Sequence, residues 1–542
     1  MIFKNSLNYF GKFFFFFKIN LRNIYFNSNL YNKKISNVSN RDLEYKPNPN
    51  TLDCLVKYEK KKNKIDEFSL NSIWTDKKIK IKDYKKLHSF FWLFSLDLKS
   101  SKNLTRNTVE NWITSNSNYD TKSWEIDILS KRVIAWISNS KLTYEDSDQE
   151  YKKKFNTIIQ KQINHLMNEI QHSEWVDDKM IGCAAIILGG LSYKDKEGYL
   201  DFGLNLLKKI IRISFDNTGF PKSRNIGQLS FYLKYFVLIR EWLKESQNEI
   251  PEYIDETIYY LGQSYSLISR GGSGFFFNGN YQIDNRDFDK YLVRLGYNFK
   301  NEGHEIGNYA ILRNKKISLM MDIGSNPEKK FSKDYQAGSL SFEIITGDNK
   351  LITNSGYFKN YHHKLNLISK TTAAHNTLIV NNKSSCVFEK GNYKESLIKK
   401  GLKITNKIII KQKNYWSVKA THDGYNKEFG ITHDRQIEFF TEQNKFIGTD
   451  TLIKKKNFKD SNFEVRFHLD PKAKIMKTQD GKSIFIDIEN EGWKFICVGH
   501  EIYIDNGLFF GKKNSYIENQ NICISGMTKS ENQTIKWEIT KL

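Results

Sequence analysis

"YWSVKATHDGYNKEFGITHDRQIEFFTEQNKFIGTDTLI", residues 415 to 453, contains three runs in which apolar and polar residues largely alternate: YWSVKATH, RQIEFFT and KFIGTDTLI. Alternation with a period of two sends every second side chain to the same face of a pleated strand, so each run reads as a strand with one buried face. Links bearing Gly, Asn, Asp and Lys read as the turns between them. The same signature recurs from about residue 307 onward, in YAILRN, ISLMMDIG, LSFEIITG, NTLIVNN, FEVRFHL, SIFIDIEN, WKFICVG and TIKWEIT, among others. Strands spaced about a dozen residues apart predict a large antiparallel β-sandwich. With only six prolines in 542 residues, its turns rest on Gly and Asn.

Upstream the period changes. KKLHSFFWLFSLDL (85 to 98), SWEIDILSKRVIAWISNS (123 to 140), EYKKKFNTIIQKQINHLMNEI (150 to 170) and QLSFYLKYFVLIREWLKES (228 to 246) carry apolar residues at spacings of three and four. So do the segments 106 to 117, 177 to 193, 198 to 215 and 254 to 270. This spacing predicts a succession of helices that stack on one another. The domain reading is an irregular Asn-, Lys- and Ser-rich leader over 1–60, an all-helical domain over 61–295 and a β-sandwich domain over 296–542. Consecutive glycines in RGGSG, near 270, suit a hinge between the last two.

The totals bound what such a chain does. Lys and Arg number 84 against 61 Asp and Glu, a formal charge of +23 that would attract a polyanion. No zinc-finger spacing, aromatic ribonucleoprotein signature or basic helix accompanies it, which argues against nucleic acid. Lys, Asn, Ile and Phe are abundant from end to end, so the charge reads first as a habit of composition, and a positive field would equally attract an acidic polysaccharide. The five cysteines, Cys54, Cys183, Cys386, Cys497 and Cys523, are scattered and form no CxxC pair. No apolar run approaches the ~18 residues of a spanning helix, so no transmembrane segment is expected. The start, MIFKNSLNYFGKFFFFFKIN, has five consecutive phenylalanines but no signal cleavage site, and reads as a loose membrane-facing anchor or an irregular segment.

Several segments in this order resemble the heparinase II/III-like family of polysaccharide lyases. The helical part is similar in LHSFFWLFSLDL, GFPKSRNIGQLSFYL and GFFFNGN, and the sandwich in AGSLSFEIITGDNKLITNSGY, TTAAHNTLIVNNKSS, THDGYNKEFGITHDRQIEF and FEVRFHLDP. The resemblance implies an incomplete α/α toroid followed by the sandwich, cleavage of uronic-acid glycans by β-elimination, and work in the cell envelope or periplasm. Such a carbon–oxygen lyase must neutralise the uronate carboxylate, remove the C5 proton and protonate the leaving oxygen at C4.

On that reading the catalytic candidates are Arg224, Asn225, Tyr232 and His375, and the substrate-binding candidates are Asn278, Tyr357, Asn376, Arg466 and His468. Each has a plainer alternative. Arg224 and Asn225 clamp a carboxylate or serve the entry to a helix. Asn278 in an Asn-Gly pair meets substrate or makes a turn. Tyr357 donates a proton or packs at a strand end. Arg466 and His468, two apart on a strand, share a face that meets an acidic sugar or acidic neighbours.

In relatives the histidine matching His375 binds a structural zinc, with upstream partners that correspond here to Asp334 or Gln336 and to Asn354. An Asn in that set is a poor zinc ligand, so His375 is the one family-matched metal candidate and a hydrogen-bonding role is the alternative. The dipeptides His422-Asp423 and His433-Asp434 look like acid–base pairs, yet neighbours along a strand point to opposite faces. This chain also departs from its relatives. SEWVDDKMIGCAAIILGG lacks their Asn, Gln228 stands where they carry a tyrosine, with Tyr232 one turn later, and Gln336 replaces a histidine. A catalytically inactive glycan-binding or envelope-assembly protein on the same fold is therefore the alternative function.

Overall fold

The computed structural model describes residues 16–39, 41–55, 74, 79–96, 102–194, 198–268, 274–280, 285–391, 395–512, 515–529 and 531–542. They group into two compact units. One holds residues up to 214 with 231–258 and 290–295; the other holds 215–230, 259–289 and 296–542.

The first unit is helical. Helix Gln149–Glu169 begins where the Asp148 carboxylate accepts from the Tyr151 N–H at 2.8 Å, an N-cap that satisfies one of the helix's orphan donors. Its Phe155, Ile159, Ile163 and Leu166 are fully buried at the spacing read from sequence. Helix Val176–Ser192 is apolar nearly all round and packs against Ile126–Ser138 and Tyr199–Ser214. Gly190 lets the last contact close: a Cβ there would lie 2.6 Å from the Leu200 backbone nitrogen. Among the described residues no helix is long and apolar enough to cross a membrane.

The leader differs from the irregular segment expected. Residues 16 to 26 are helical, and helices Asn29–Ile35 and Pro49–Leu55 follow. Tertiary contacts override the polar composition here: Tyr31 and Ile35 are buried, and the Tyr31 hydroxyl bonds His165 Nδ1 at 2.7 Å. Residues 1–15 and 56–60 lie outside the described residues.

The second unit is built on antiparallel sheets. Eight strands follow the spatial order Lys474–Lys477, Ser483–Ile488, Glu491–Cys497, Gln533–Lys541, Lys445–Lys454, Ile431–Phe440, Tyr415–His422 and Ile404–Lys411. Five consecutive strands between Glu305 and Ile352 form a second sheet. A third runs Glu501–Phe509, Ile517–Met527, Asn462–His468, Leu378–Val380, and Val387–Lys390 pairs with Ser396–Lys400. One continuous core draws Leu319 and Phe342 from the five-stranded sheet, Val465 and Phe467 from the four-stranded one, and Trp493 and Trp537 from the eight-stranded one. The Trp537 ring stacks on Phe342 at 5.3 Å and meets Phe467 edge-on at 4.9 Å. A helical N-terminal part followed by a large antiparallel β-structure is the fold class expected from sequence.

The division at 295/296 needs correction. Residues 215–230 and 259–289 belong with the sheets because their polar groups bond into them: Arg224 to Asp322, Asn225 to Asp334, and the Phe276 N–H to Glu343. The glycine-rich stretch read as a hinge spans 270–274, of which 270–273 lie outside the described residues.

Candidate functional site

Within the sheet-bearing unit, Asp322 ends the strand Ile317–Asp322 and is 1% exposed. A lone buried carboxylate is costly, so its surroundings must supply donors. Arg224 Nη2 donates to Oδ1 at 2.6 Å, the Gly324 N–H to the same oxygen at 2.9 Å, and Asn278 Nδ2 to Oδ2 at 3.4 Å. Arg224 sits at φ 60° and also donates to the carbonyls of Gly307, Ser325 and Asn308. Its guanidinium lies over the Tyr309 ring at 4.6 Å, and the Tyr309 hydroxyl returns a bond to the Arg224 carbonyl at 2.7 Å. Burial alone would weaken the Arg224 charge, but Asp322 outweighs it and raises the pKa. These donors are all spent inside the protein, so Arg224 is a framework cation and not the open carboxylate clamp expected.

Asn225 takes the helix-entry role. Its Oδ1 accepts from the Gly227 N–H at 2.8 Å at the start of helix Ile226–Glu245, and its Nδ2 reaches Asp334 at 3.3 Å. Asn278 adopts φ 40° and accepts the Gln336 N–H at 3.1 Å, so the turn reading holds. Tyr357 donates to Asp334 Oδ1 at 3.0 Å and accepts from Asn366 Nδ2 at 3.0 Å; burial raises its pKa well above the usual phenol value. Arg224, Asn225, Asn278 and Tyr357 thus share one buried network, through Asp322 and Asp334. Tyr232 lies in the helical unit, 1% exposed, with its hydroxyl 3.4 Å from Asp177. Burial raises its pKa well above normal as well.

A second group surrounds His375, which is 1% exposed. Its Nδ1 bonds the Thr371 carbonyl at 2.8 Å. A carbonyl only accepts, so Nδ1 carries the proton and the neutral ring keeps its lone pair on Nε2. That Nε2 has no hydrogen-bond partner, and burial lowers the pKa to about 4. Gly338 makes room for the ring, since a Cβ there would stand 2.5 Å from Cδ2. His468 bonds Ser355 Oγ at 3.3 Å and the Ala373 carbonyl at 3.0 Å; burial, then Arg466, lower its pKa to about 3.

Asn376 is wholly committed. Its Nδ2 donates to the Phe342 carbonyl at 2.8 Å, its Oδ1 accepts the His468 N–H at 2.6 Å, and its own N–H goes to Asn354 Oδ1 at 3.0 Å. It ties strands together and is not the substrate ligand expected. Arg466, partly exposed, pairs with Glu464 and lies 3.6 Å from Asp505, which is the acidic-neighbour alternative.

The zinc set does not assemble. Asn354 Oδ1 is taken by Asn376, Gln336 bridges the Gly279 N–H and the carbonyls of Gly356 and Ser369, and Asp334 holds Asn225 and Tyr357. Among the described residues no group of three His, Cys, Asp or Glu side chains is placed to hold a metal. The donors around His375 do not fit zinc.

The His-Asp dipeptides separate as expected for strand neighbours. Asp434 turns to Thr421 Oγ1 at 2.6 Å, whereas His433 Nε2 reaches Asp450 at 2.7 Å. Asp450 also receives Arg435 Nε at 2.6 Å and Trp537 Nε1 at 2.9 Å. Burial alone would raise its pKa, but Arg435 and His433 hold it well below the carboxylate range. Asp322 and Asp450 escaped the sequence reading. The available signals were an aspartate closing the apolar run ISLMMD and one within the alternating run KFIGTDTLI.

Residues 301–538 match the family described as heparinase II/III-like, C-terminal. Over those residues the chain is similar to the heparinase II/III-like family. Among curated proteins none matches the chain. Among solved structures, one described as heparinase III superimposes with a TM-score of 0.68 at 14% identity, covering 93% of this chain and 87% of that one. A mutant of heparan sulfate lyase HepC from Pedobacter heparinus gives 0.65 at 15%, covering 86% and 78%. At such identities the likeness is one of fold. Within this heparinase-like frame, His375 is the family-matched histidine whose geometry leaves an acceptor atom unused.

Proposed function

We propose that the protein is a polysaccharide lyase that cleaves an acidic, uronic-acid-containing glycan by β-elimination, and that it works at the cell envelope. The family match and the fold shared with heparan sulfate lyases support the reaction class; the resemblance supports the location. One observation carries the chemistry: His375 Nε2 is a lone pair on a neutral imidazole with no partner. Such a nitrogen takes up a proton without first giving one away, which is what abstraction at C5 asks of a base. The Thr371 carbonyl fixes the tautomer and the ring. His375 is buried in this structure, so substrate binding must uncover it. Arg224 and Asn225 belong to the separate Asp322 and Asp334 network and enter the reading only as framework of the sheet-bearing unit.

The test is incubation of the purified protein with a panel of uronic-acid polysaccharides, following the ~232 nm absorbance of the 4,5-unsaturated product that β-elimination leaves. A rise that falls at least about a hundredfold in His375→Gln, with the fold intact, supports both reaction and base. No rise on any substrate, with binding retained, would replace the lyase by a noncatalytic glycan binder.

A further inference from the structure

The helix over residues 16 to 26 is turned the wrong way round for a helix that faces water. Phe26 is buried against Tyr31 and Tyr119, and Arg22 pairs with Glu169, fixing one side of the helix to the helical unit. At 3.6 residues per turn, Phe17, Leu21 and Ile24 lie along the opposite side. They are 52%, 51% and 70% exposed. The next helix, Asn29–Ile35, repeats the arrangement: Tyr31 and Ile35 are buried while Leu30 is 78% exposed. Lys33 and Lys34, three and four residues on, share its face and are exposed, as is Lys18 in the first helix.

Charge selects what this apolar face meets. Lys4, Lys12, Lys18, Arg22, Lys33, Lys34 and Arg41 all precede Asp42, and no Asp or Glu does. Exposed large apolar side chains beside cations, with no acid among them, suit the boundary between headgroup and acyl chain. We infer that residues 16 to 34 form a docking surface for an anionic phospholipid bilayer, with Leu21, Ile24 and Leu30 entering the interface and Lys18, Lys33 and Lys34 meeting the headgroup phosphates. Attachment is peripheral, and it does not depend on the lyase reading, because its readout involves no glycan.

Flotation of the full chain with vesicles tests it, comparing phosphatidylcholine alone with phosphatidylcholine containing about 30% phosphatidylglycerol. The protein floats with the anionic vesicles, and less so in high salt. Leu21→Glu with Ile24→Glu weakens partition at least about tenfold, and Lys33→Glu with Lys34→Glu does the same, since each lost cation is worth about fivefold. All four positions are exposed, so far-ultraviolet circular dichroism and the thermal midpoint stay unchanged. Equal flotation of wild type and both double variants overturns the proposal, as does absence of flotation with anionic vesicles. If Leu21→Glu with Ile24→Glu leaves flotation unchanged but breaks self-association in sedimentation velocity, the face belongs to a second copy and the proposal fails.

Discussion

Arg224 Nη2 and Asp322 Oδ1 lie 2.6 Å apart although 98 positions separate them in the chain. Both side chains are buried, so removing either strands the other's charge. Arg224→Ala or Asp322→Asn should destabilise the sheet-bearing unit by about 3–5 kcal/mol, the usual cost of breaking such a pair. Arg224→Lys should recover only part, because one ammonium cannot replace the fork that also holds three carbonyls. Denaturant unfolding checks this. If Arg224→Ala kept its midpoint and only raised KM for a glycan, the guanidinium would serve substrate after all.

Asn376 makes the same point without charge. Asn376→Ala leaves the His468 N–H and the Phe342 carbonyl unpaired in the core, at about 1–3 kcal/mol each. The expected phenotype is a lower thermal midpoint with any remaining activity at unchanged KM. An unchanged midpoint would contradict the structural role.

Acid should unfold the protein earlier than carboxylates alone would. Burial lowers the pKa of His88, His165 and His468 to about 3 and that of His375 to about 4. An unfolded histidine titrates near 6.5, so between about pH 6.5 and 4 the unfolded chain binds more protons and stability falls as pH falls. Above about pH 6.5 both states are neutral and the full contribution is present. Asp450, held low in the folded state, adds to the loss below about pH 4. Thermal midpoints should therefore drop steadily from pH 6.5 downward, and a profile flat to pH 5 would refute the assignment of neutral buried rings.

Gly448 faces the Trp537 ring, and a Cβ there would overlap it. Trp537 cannot swing aside without losing Asp450, so Gly448→Ala should cost about 1–3 kcal/mol. A wild-type midpoint in that variant would mean the indole moves freely.

The strands whose faces are buried on one side were legible, as in KFIGTDTLI, where half-buried and buried positions alternate along Lys445–Lys454. Glu501–Phe509 and Lys474–Lys477 escaped, because they lie at sheet edges and bury too few side chains to print an alternation. The helices showed through their three- and four-residue spacing, while the leader's helices did not, since contacts distant in sequence hold them. The site was legible in residue type and not in state. Sequence singled out Arg224, Asn376 and His375 alike, and only the partners of each separate two structural groups from one with an unused lone pair. Asp322, the residue that organises the first network, has no marker in a linear reading beyond ending an apolar run.

The strand Gln533–Lys541 lies in the interior of its sheet, hydrogen-bonded to Glu491–Cys497 on one side and Lys445–Lys454 on the other. It is also translated after its seven companions. While the ribosome is still working, the sheet exists only as a three-stranded piece and a four-stranded piece, each with a raw edge where the missing ribbon will go. Synthesis at about 5–20 residues per second lets earlier elements settle while the nascent chain grows. The helical unit can mature during that interval, whereas the sandwich closes only once this last ribbon has emerged, and until then those two edges are open to pairing with other chains.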